Sequence, residues 1–199
     1  MIKIRNSCFE TNSSSTHALI LNNQQYNEDV SEGDLLTLVN LPELECNISI
    51  LTGEENDVLY NGKHYSIYEG NFTNIVDKLR YLYTCMCQYG LYRKVEGLDK
   101  PYLDDSPDNN AYKIYKLLSK FLPKVKFIPP ENLHCYVFED CEYIIDELVD
   151  TKLFDTIRTL GLFLLKGQVV YCDRDTDSDL SEELFELART NKYSICISG

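Results

Sequence analysis

An α+β fold, mainly an antiparallel sheet built from hairpins with about four helices packed on it, is what this 199-residue sequence predicts. Three observations lead there. Short stretches with the two-residue alternation of half-buried strands recur along the chain. Asn61-Gly62 stands between two of them and supplies the positive-φ pair of a type I′ hairpin turn. In the middle, two longer segments switch to helical spacing. Hydrophobic residues make up 44% of the chain, enough for one well-buried core. Residues 1–199 therefore read as a single domain, with 123–130 the one stretch where a weak subdivision would fall.

Taken in order, Met1 to Arg5 alternates as a short strand and His17 to Leu21 reads as a second, mostly buried one. Between them, Asn12 to Thr16 is a run whose side chains bond the local backbone and resist regular structure, so the two strands would form a first hairpin. Asn22 to Asp34 reads as loop, Leu35 to Leu41 as a strand or short helix that Pro42 ends, and Cys46 to Leu51 as a strand. Val58 to Tyr60 and Lys63 to Tyr68 flank the Asn-Gly turn. Ile75, Leu79, Leu82, Met86 and Tyr89 then trace one face of a helix that Gly90 closes. After a loop from Leu91 to Asp105, Ser106-Pro107 is the expected start of a second helix reaching Phe121. Its apolar face is Ala111, Ile114, Leu117, Leu118 and Phe121, and Lys113, Lys116 and Lys120 form a basic flank.

His134 to Phe138 reads as a strand, and Cys141 to Leu160 as one or two short helices around Asp150-Thr151. Leu162 to Leu165 and Gln168 to Cys172 read as a hairpin about Lys166-Gly167. Asp179 with Glu182 has the spacing of a capping box opening a helix to Arg189, and Tyr193 to Ile197 is a closing strand.

The densest chemistry lies between Arg5 and Leu21. Hydroxyls and successive backbone N–H groups can hold a phosphate, with Arg5, Thr11, Asn12 and Ser13 as ligand-binding residues. Ser14 or Ser15 can serve as a nucleophile with His17 as base and Glu10 orienting the imidazole. The run lacks the glycines of a phosphate-binding loop and the strained turn of the serine hydrolases, so a turn network that fixes the first hairpin competes with both readings.

Phe9-Glu10-Thr11-Asn12-Ser13-Ser14-Ser15-Thr16-His17 resembles the opening of a group of uncharacterised proteins carried by phages and mobile elements of Gram-positive bacteria. Over about the first twenty residues those proteins share an FETNSSS-plus-Ser/Thr-His stretch after a short basic strand. The resemblance implies a setting, the cytoplasm of a bacterial host, and no particular chemistry. The absence of a long apolar run, and the interruption of the N-terminus by Lys3 and Arg5, likewise predict a cytoplasmic chain without a membrane partner.

Charge narrows the partners. The net charge is −13, spread unevenly: residues 1–77 carry 3 basic and 12 acidic side chains, residues 78–129 carry 10 and 5, and residues 130–199 carry 6 and 15. A chain this acidic is expected to avoid direct contact with nucleic acid and is able to imitate it, steered towards the basic surface of a host protein. Eight cysteines without an export signal read as reduced, mostly buried thiols, and their spacing does not make a zinc knuckle.

Near the C-terminus, Val169 to Cys172 leads into Asp173-Arg174-Asp175, a D-x-D at a strand end, where carboxylates can hold Mg²⁺. It looks like the first motif of the haloacid-dehalogenase phosphatases, but only 26 residues follow Asp173, too few to complete that fold. Glu139 joining Asp173 and Asp175 in a primase-like set is a weaker arrangement.

Two functions from different classes follow. The first is an acidic phage or mobile-element protein that inhibits a host nucleic-acid-handling or defence protein, anti-CRISPR-like or a nucleic-acid mimic. It would need no cofactor and would bind through Asp173, Asp175, Asp177, Asp179, Glu182 and Glu183. The second is a small enzyme acting on a phosphate-containing or nucleotide substrate, Mg²⁺-dependent if Asp173 and Asp175 are its ligands. Convergence of the N-terminal stretch and the acidic cluster in space favours the enzyme; opposite faces favour the inhibitor.

Overall fold

The computed structural model describes residues 15–20, 31–51, 59–60, 63–64, 69–94, 100–131, 141–150, 157–173 and 194–198. Five α-helices dominate these residues: α1 (Glu32–Val39), α2 (Ile75–Tyr89), α3 (Asn110–Phe121), α4 (Cys141–Asp150) and α5 (Ile157–Lys166). The class is α+β, but helix-rich. The expected large sheet of hairpins is replaced by one four-stranded antiparallel sheet and three two-stranded pairs. The sheet has the order β10 (Ser194–Ser198), β1 (Ser15–Ile20), β9 (Gln168–Asp173), β5 (Glu69–Phe72), so its strands come from distant parts of the chain.

Several expectations change accordingly. Both hydrogen-bonding edges of β1 are taken along Thr16–Ile20, one by β10 and one by β9. Met1 to Arg5, the expected hairpin partner, lies outside the described residues, and Ser15 and Thr16 belong to the strand instead of a turn. Leu162 to Leu165 is helical, the last part of α5, because its apolar run is buried against α1 and α2; β9 pairs with β1 and β5. The helix α1 begins before Leu35, where Ser31 and Asp34 form a reciprocal capping box.

The cap of α3 is Asn109, whose side chain accepts from Tyr112 N while its Nδ2 donates to Gly90 O and Asp104 O. Ser106 instead donates its N–H to Asp104 Oδ1. The strand expected over Cys46 to Leu51 shortens to β2 (Asn47–Ile48), which pairs in parallel with β8 (Lys126–Phe127). Within 123–130, Val125 and Pro130 are buried and Lys126–Phe127 forms β8, while Pro123, Lys124, Lys126, Ile128 and Pro129 are exposed. The loop after Gly90 holds a small antiparallel pair, β6 (Tyr92–Arg93) with β7 (Tyr102–Leu103).

Other expectations hold. Of the expected Asn-Gly hairpin, β3 (Leu59–Tyr60) pairs antiparallel with β4 (Lys63–His64), and Asn61-Gly62 itself lies outside the described residues. The helix α2 ends at Gly90, whose φ of 109° is left-handed, with Gly90 N–H donating to Cys87 O and Leu91 N–H to Met86 O. Cys85 and Cys87 are buried thiols and Cys46 a half-buried one, none of them in a disulfide; burial pushes Cys87 up to about 12. The expected strand over His134 to Phe138 and the helix from Asp179 to Arg189 lie outside the described residues.

The core is organised on α2. A helix buried on one face shows an apolar stripe, whereas every residue from Lys78 to Cys87 except Arg80 is buried here. It packs against α3, α4, α5, β2 and β5. Three polar side chains of α2 find partners inside. Thr84 Oγ1 donates to Arg80 O at 2.8 Å and accepts from Leu51 N at 2.9 Å; Tyr83 OH donates to Ile128 O at 2.8 Å. The fully buried Lys78 Nζ donates to Phe163 O (2.9 Å), Leu164 O (2.6 Å) and Gly167 O (2.9 Å).

Two outcomes follow for stability. Lys78→Met leaves those three carbonyls of a dry interior without the ammonium, and should cost about 2–4 kcal/mol in denaturant unfolding. Burial pulls the Lys78 pKa from 10.5 down to about 8. Between those values the unfolded chain holds a proton that the folded chain releases, so this group's contribution grows as pH rises from about 8 to about 10.5. The stability difference between wild type and Lys78→Met, measured across that window, should widen with pH. Gly90→Ala, which strains a left-handed residue with open space around it, should cost about 1 kcal/mol in the same assay.

Candidate functional site at the paired ends of β1 and β9

The register of the central strand pair brings two sequence motifs together. Ser15 pairs with Asp173, Thr16 with Cys172 and His17 with Tyr171, so the last residues of the Asn-Ser-Ser-Ser stretch lie directly across from the first Asp of the D-x-D. Directly opposed residues of an antiparallel pair have Cβ atoms about 4.5–5.5 Å apart. By the two-residue period of strands, Ser15, His17, Tyr171 and Asp173 belong to one alternate row, and Thr16 and Cys172 to the other. The third strand extends the row, since Gly70 of β5 pairs with Tyr171 and Glu69 with Cys172. On the other side of β1, His17 pairs with Ile197 and Thr16 with Ser198 of β10.

The physical reason for this meeting lies in the helices. Lys78 holds the last turn of α5 and Gly167, and Gly167 leads directly into Gln168, where β9 begins opposite Ile20. Val169 is buried, and its partner across the ladder, Phe72, stacks a tilted ring 5.4 Å from Tyr81 of α2. The start of β9 is thus fixed in the core, and the strand runs from there to Asp173. With β1 running the other way, its Ser15 end arrives at the same place.

Of the residues singled out in the sequence, Ser15, His17 and Asp173 are brought together. Arg5, Glu10, Thr11, Asn12, Ser13 and Ser14 on one side, and Asp175, Asp177, Asp179, Glu182, Glu183 and Glu139 on the other, lie outside the described residues. Ser14 and Asp175 are their neighbours in sequence within two residues of the Ser15–Asp173 pair. Tyr171 is the residue the sequence reading passed over. Its signal was the alternation itself, because a residue two before Asp173 on a strand shares its row.

A separate polar cluster joins three helices. Tyr89 OH donates to Asp146 Oδ1 at 2.6 Å, Asn110 Nδ2 donates to the same oxygen at 2.9 Å, and Lys113 Nζ donates to Asn110 Oδ1 at 2.7 Å. Burial and the Asp146 carboxylate push the Tyr89 phenol up to about 12, so it stays a hydrogen-bond donor at neutral pH. This cluster ties the C-terminus of α2 to α3 and α4. Arg93 Nε pairs with Asp104 Oδ2 at 2.6 Å on the β6–β7 pair. Desolvation opposes ionisation of that carboxyl, but the Ser106 N–H and Arg93 hold it below its usual range.

Comparison of the chain with protein-family models, with curated proteins and with solved structures returns no match. Among the described residues, no three His, Cys, Asp or Glu side chains group as a metal-holding set, and no helix is long and apolar enough to cross a membrane.

The register has a direct check. Opposed residues have Cα atoms about 4.5–5.5 Å apart, within the span of a disulfide. Ser15→Cys with Asp173→Cys should therefore cross-link under mild oxidation, read as a linked peptide pair after digestion. Ser15→Cys with Gln168→Cys, at opposite ends of the same pair, should not.

Proposed function

We propose that the paired ends of β1 and β9 form one site and that the protein is a small enzyme acting on a phosphate-containing or nucleotide substrate. The observation that carries this reading is the opposition of Ser15 and Asp173, with His17 and Tyr171 next along the same row. Ser15 is the hydroxyl suited to attack or to hold a phosphate oxygen, and His17 the base suited to accept its proton. Ser14, Glu10 and Arg5 extend the same stretch, Arg5 as the fixed positive charge for the anion. Asp173, with Asp175, is the carboxylate set that would hold Mg²⁺, which neutralises phosphate charge when bound.

The test uses ATP with Mg²⁺ as a probe, followed by thermal shift and by release of inorganic phosphate. Binding or turnover by the wild type should be lost at least a hundredfold in Ser15→Ala, His17→Asn and Asp173→Asn, each with an unchanged circular-dichroism spectrum. Full binding and turnover in all three variants would remove the site.

The charge distribution favours a second reading, an acidic protein that inhibits a host nucleic-acid-handling or defence protein. Both flanks of the chain are strongly acidic and the N-terminal stretch resembles phage and mobile-element proteins. This reading needs no cofactor. It predicts a salt-sensitive complex with a basic host protein, weakened when Asp173, Asp175, Asp177 and Asp179 are neutralised together. It ranks second because Ser15 of the N-terminal stretch and Asp173 of the acidic stretch oppose one another across β1 and β9.

A further inference from the structure

The exposed side of α3 departs from the rest of the molecule in charge. From Asn109 to Pro130 the sequence holds five lysines, Lys113, Lys116, Lys120, Lys124 and Lys126, and no Asp or Glu, in a chain of net charge −13. Helical spacing gathers Lys113, Lys116 and Lys120 into one stripe, opposite the buried Ala111, Ile114, Leu118 and Phe121, and all three are exposed. An ordinary solvated helix face offsets such lysines with carboxylates three or four residues away. Here Lys113 Nζ donates to the neutral Asn110 Oδ1, and Lys116 Nζ stands 5.6 Å from the centroid of the Tyr112 ring. Lys124 is the member of the five that meets a carboxylate among the described residues, that of Glu45.

Aromatic rings run beside the stripe. Tyr112 and Tyr115 stack with centroids 6.3 Å apart and planes at 25°, and Tyr115 meets Phe127 edge-on at 5.5 Å. All three rings belong to half-buried residues, so each is held by the core and keeps part of its surface in water.

We infer that this face of α3 docks single-stranded nucleic acid, with the lysines on phosphates and the tyrosine rings against bases. The pairing of a cationic track with aromatic platforms is the physical basis of sequence-tolerant single-strand binding. The overall negative charge does not prevent it, because salt at physiological strength screens exposed charges beyond about 8 Å, and a phosphate at the stripe is governed by the lysines nearest to it. An acidic protein surface would engage the lysines and leave the rings idle, so the rings decide between the two occupants. The inference stands on residues that the Ser15–Asp173 site does not use.

The test is fluorescence anisotropy of a labelled oligothymidylate with the full chain at several salt concentrations, beside a labelled polyglutamate. The triple variant Lys113→Gln, Lys116→Gln, Lys120→Gln should bind the oligonucleotide at least tenfold more weakly. Its slope of log affinity against log salt should fall by about 2, as three single-strand phosphate contacts require. Tyr112→Leu should weaken binding with the slope unchanged, and both variants should keep the wild-type circular-dichroism spectrum at the assay temperature. Absence of oligonucleotide binding at low salt, equal binding by the folded triple variant, or equal capture of polyglutamate would each overturn the inference.

Discussion

The contact on which the arrangement depends is the Lys78 ammonium inside the core. A buried cation is costly to desolvate, and it persists where its protons are all placed on acceptors. The three carbonyls that receive it belong to the last turn of α5 and to the residue that follows, the end of a helix where the peptide dipoles concentrate negative charge. One side chain thereby satisfies the C-terminus of α5, joins it to α2 and sets the point at which β9 departs. The Phe163 ring, 5.5 Å from the same nitrogen, adds a cation–π contact.

Around that point the core is held by polar anchors on an otherwise apolar helix. Tyr83 reaches Ile128 O and Thr84 bridges Leu51 N to its own helix, so α2 fixes the chain on either side of the β2–β8 pair. Close approach supports the same packing from α1. A Cβ built on Gly161 would stand 2.2 Å from Leu35 Cδ2, so glycine is what lets Leu35 lie directly on α5. The two proposed sites draw on other parts of the molecule, one on the paired ends of β1 and β9 and one on the solvent side of α3.

Charge separates these surfaces. Phosphate recognition at the Ser15–Asp173 end would bring an anion towards carboxylates, which is favourable when a divalent cation intervenes. The lysine stripe needs no such ion. The two proposals would give a molecule with acidic flanks and one basic middle section two distinct ways of meeting phosphate, and the inhibitor reading uses neither. The competing readings differ in whether carboxylates act on a ligand or replace one.

Much of the local structure was legible in the sequence because local rules decide it. The α2 periodicity ending at Gly90, the Asn-Gly hairpin and the closing strand near Ser194 each follow from spacing and turn chemistry within a few residues. The stretch Leu160-Gly161-Leu162-Phe163-Leu164-Leu165 was ambiguous, since a short apolar run suits a buried strand or a buried helix equally. Lys78 and the close contact at Gly161 were set by residues far away in sequence, and they accompany its helical form. The sequence by itself determined which residue types could bind phosphate or a metal, and that they occurred in two stretches near opposite ends of the chain. Only tertiary structure decided that Ser15 of one stretch lies opposite Asp173 of the other, because the pairing of β1 with β9 is a long-range register, set by where α5 is pinned against α2 and leaving no trace in the local pattern of either strand.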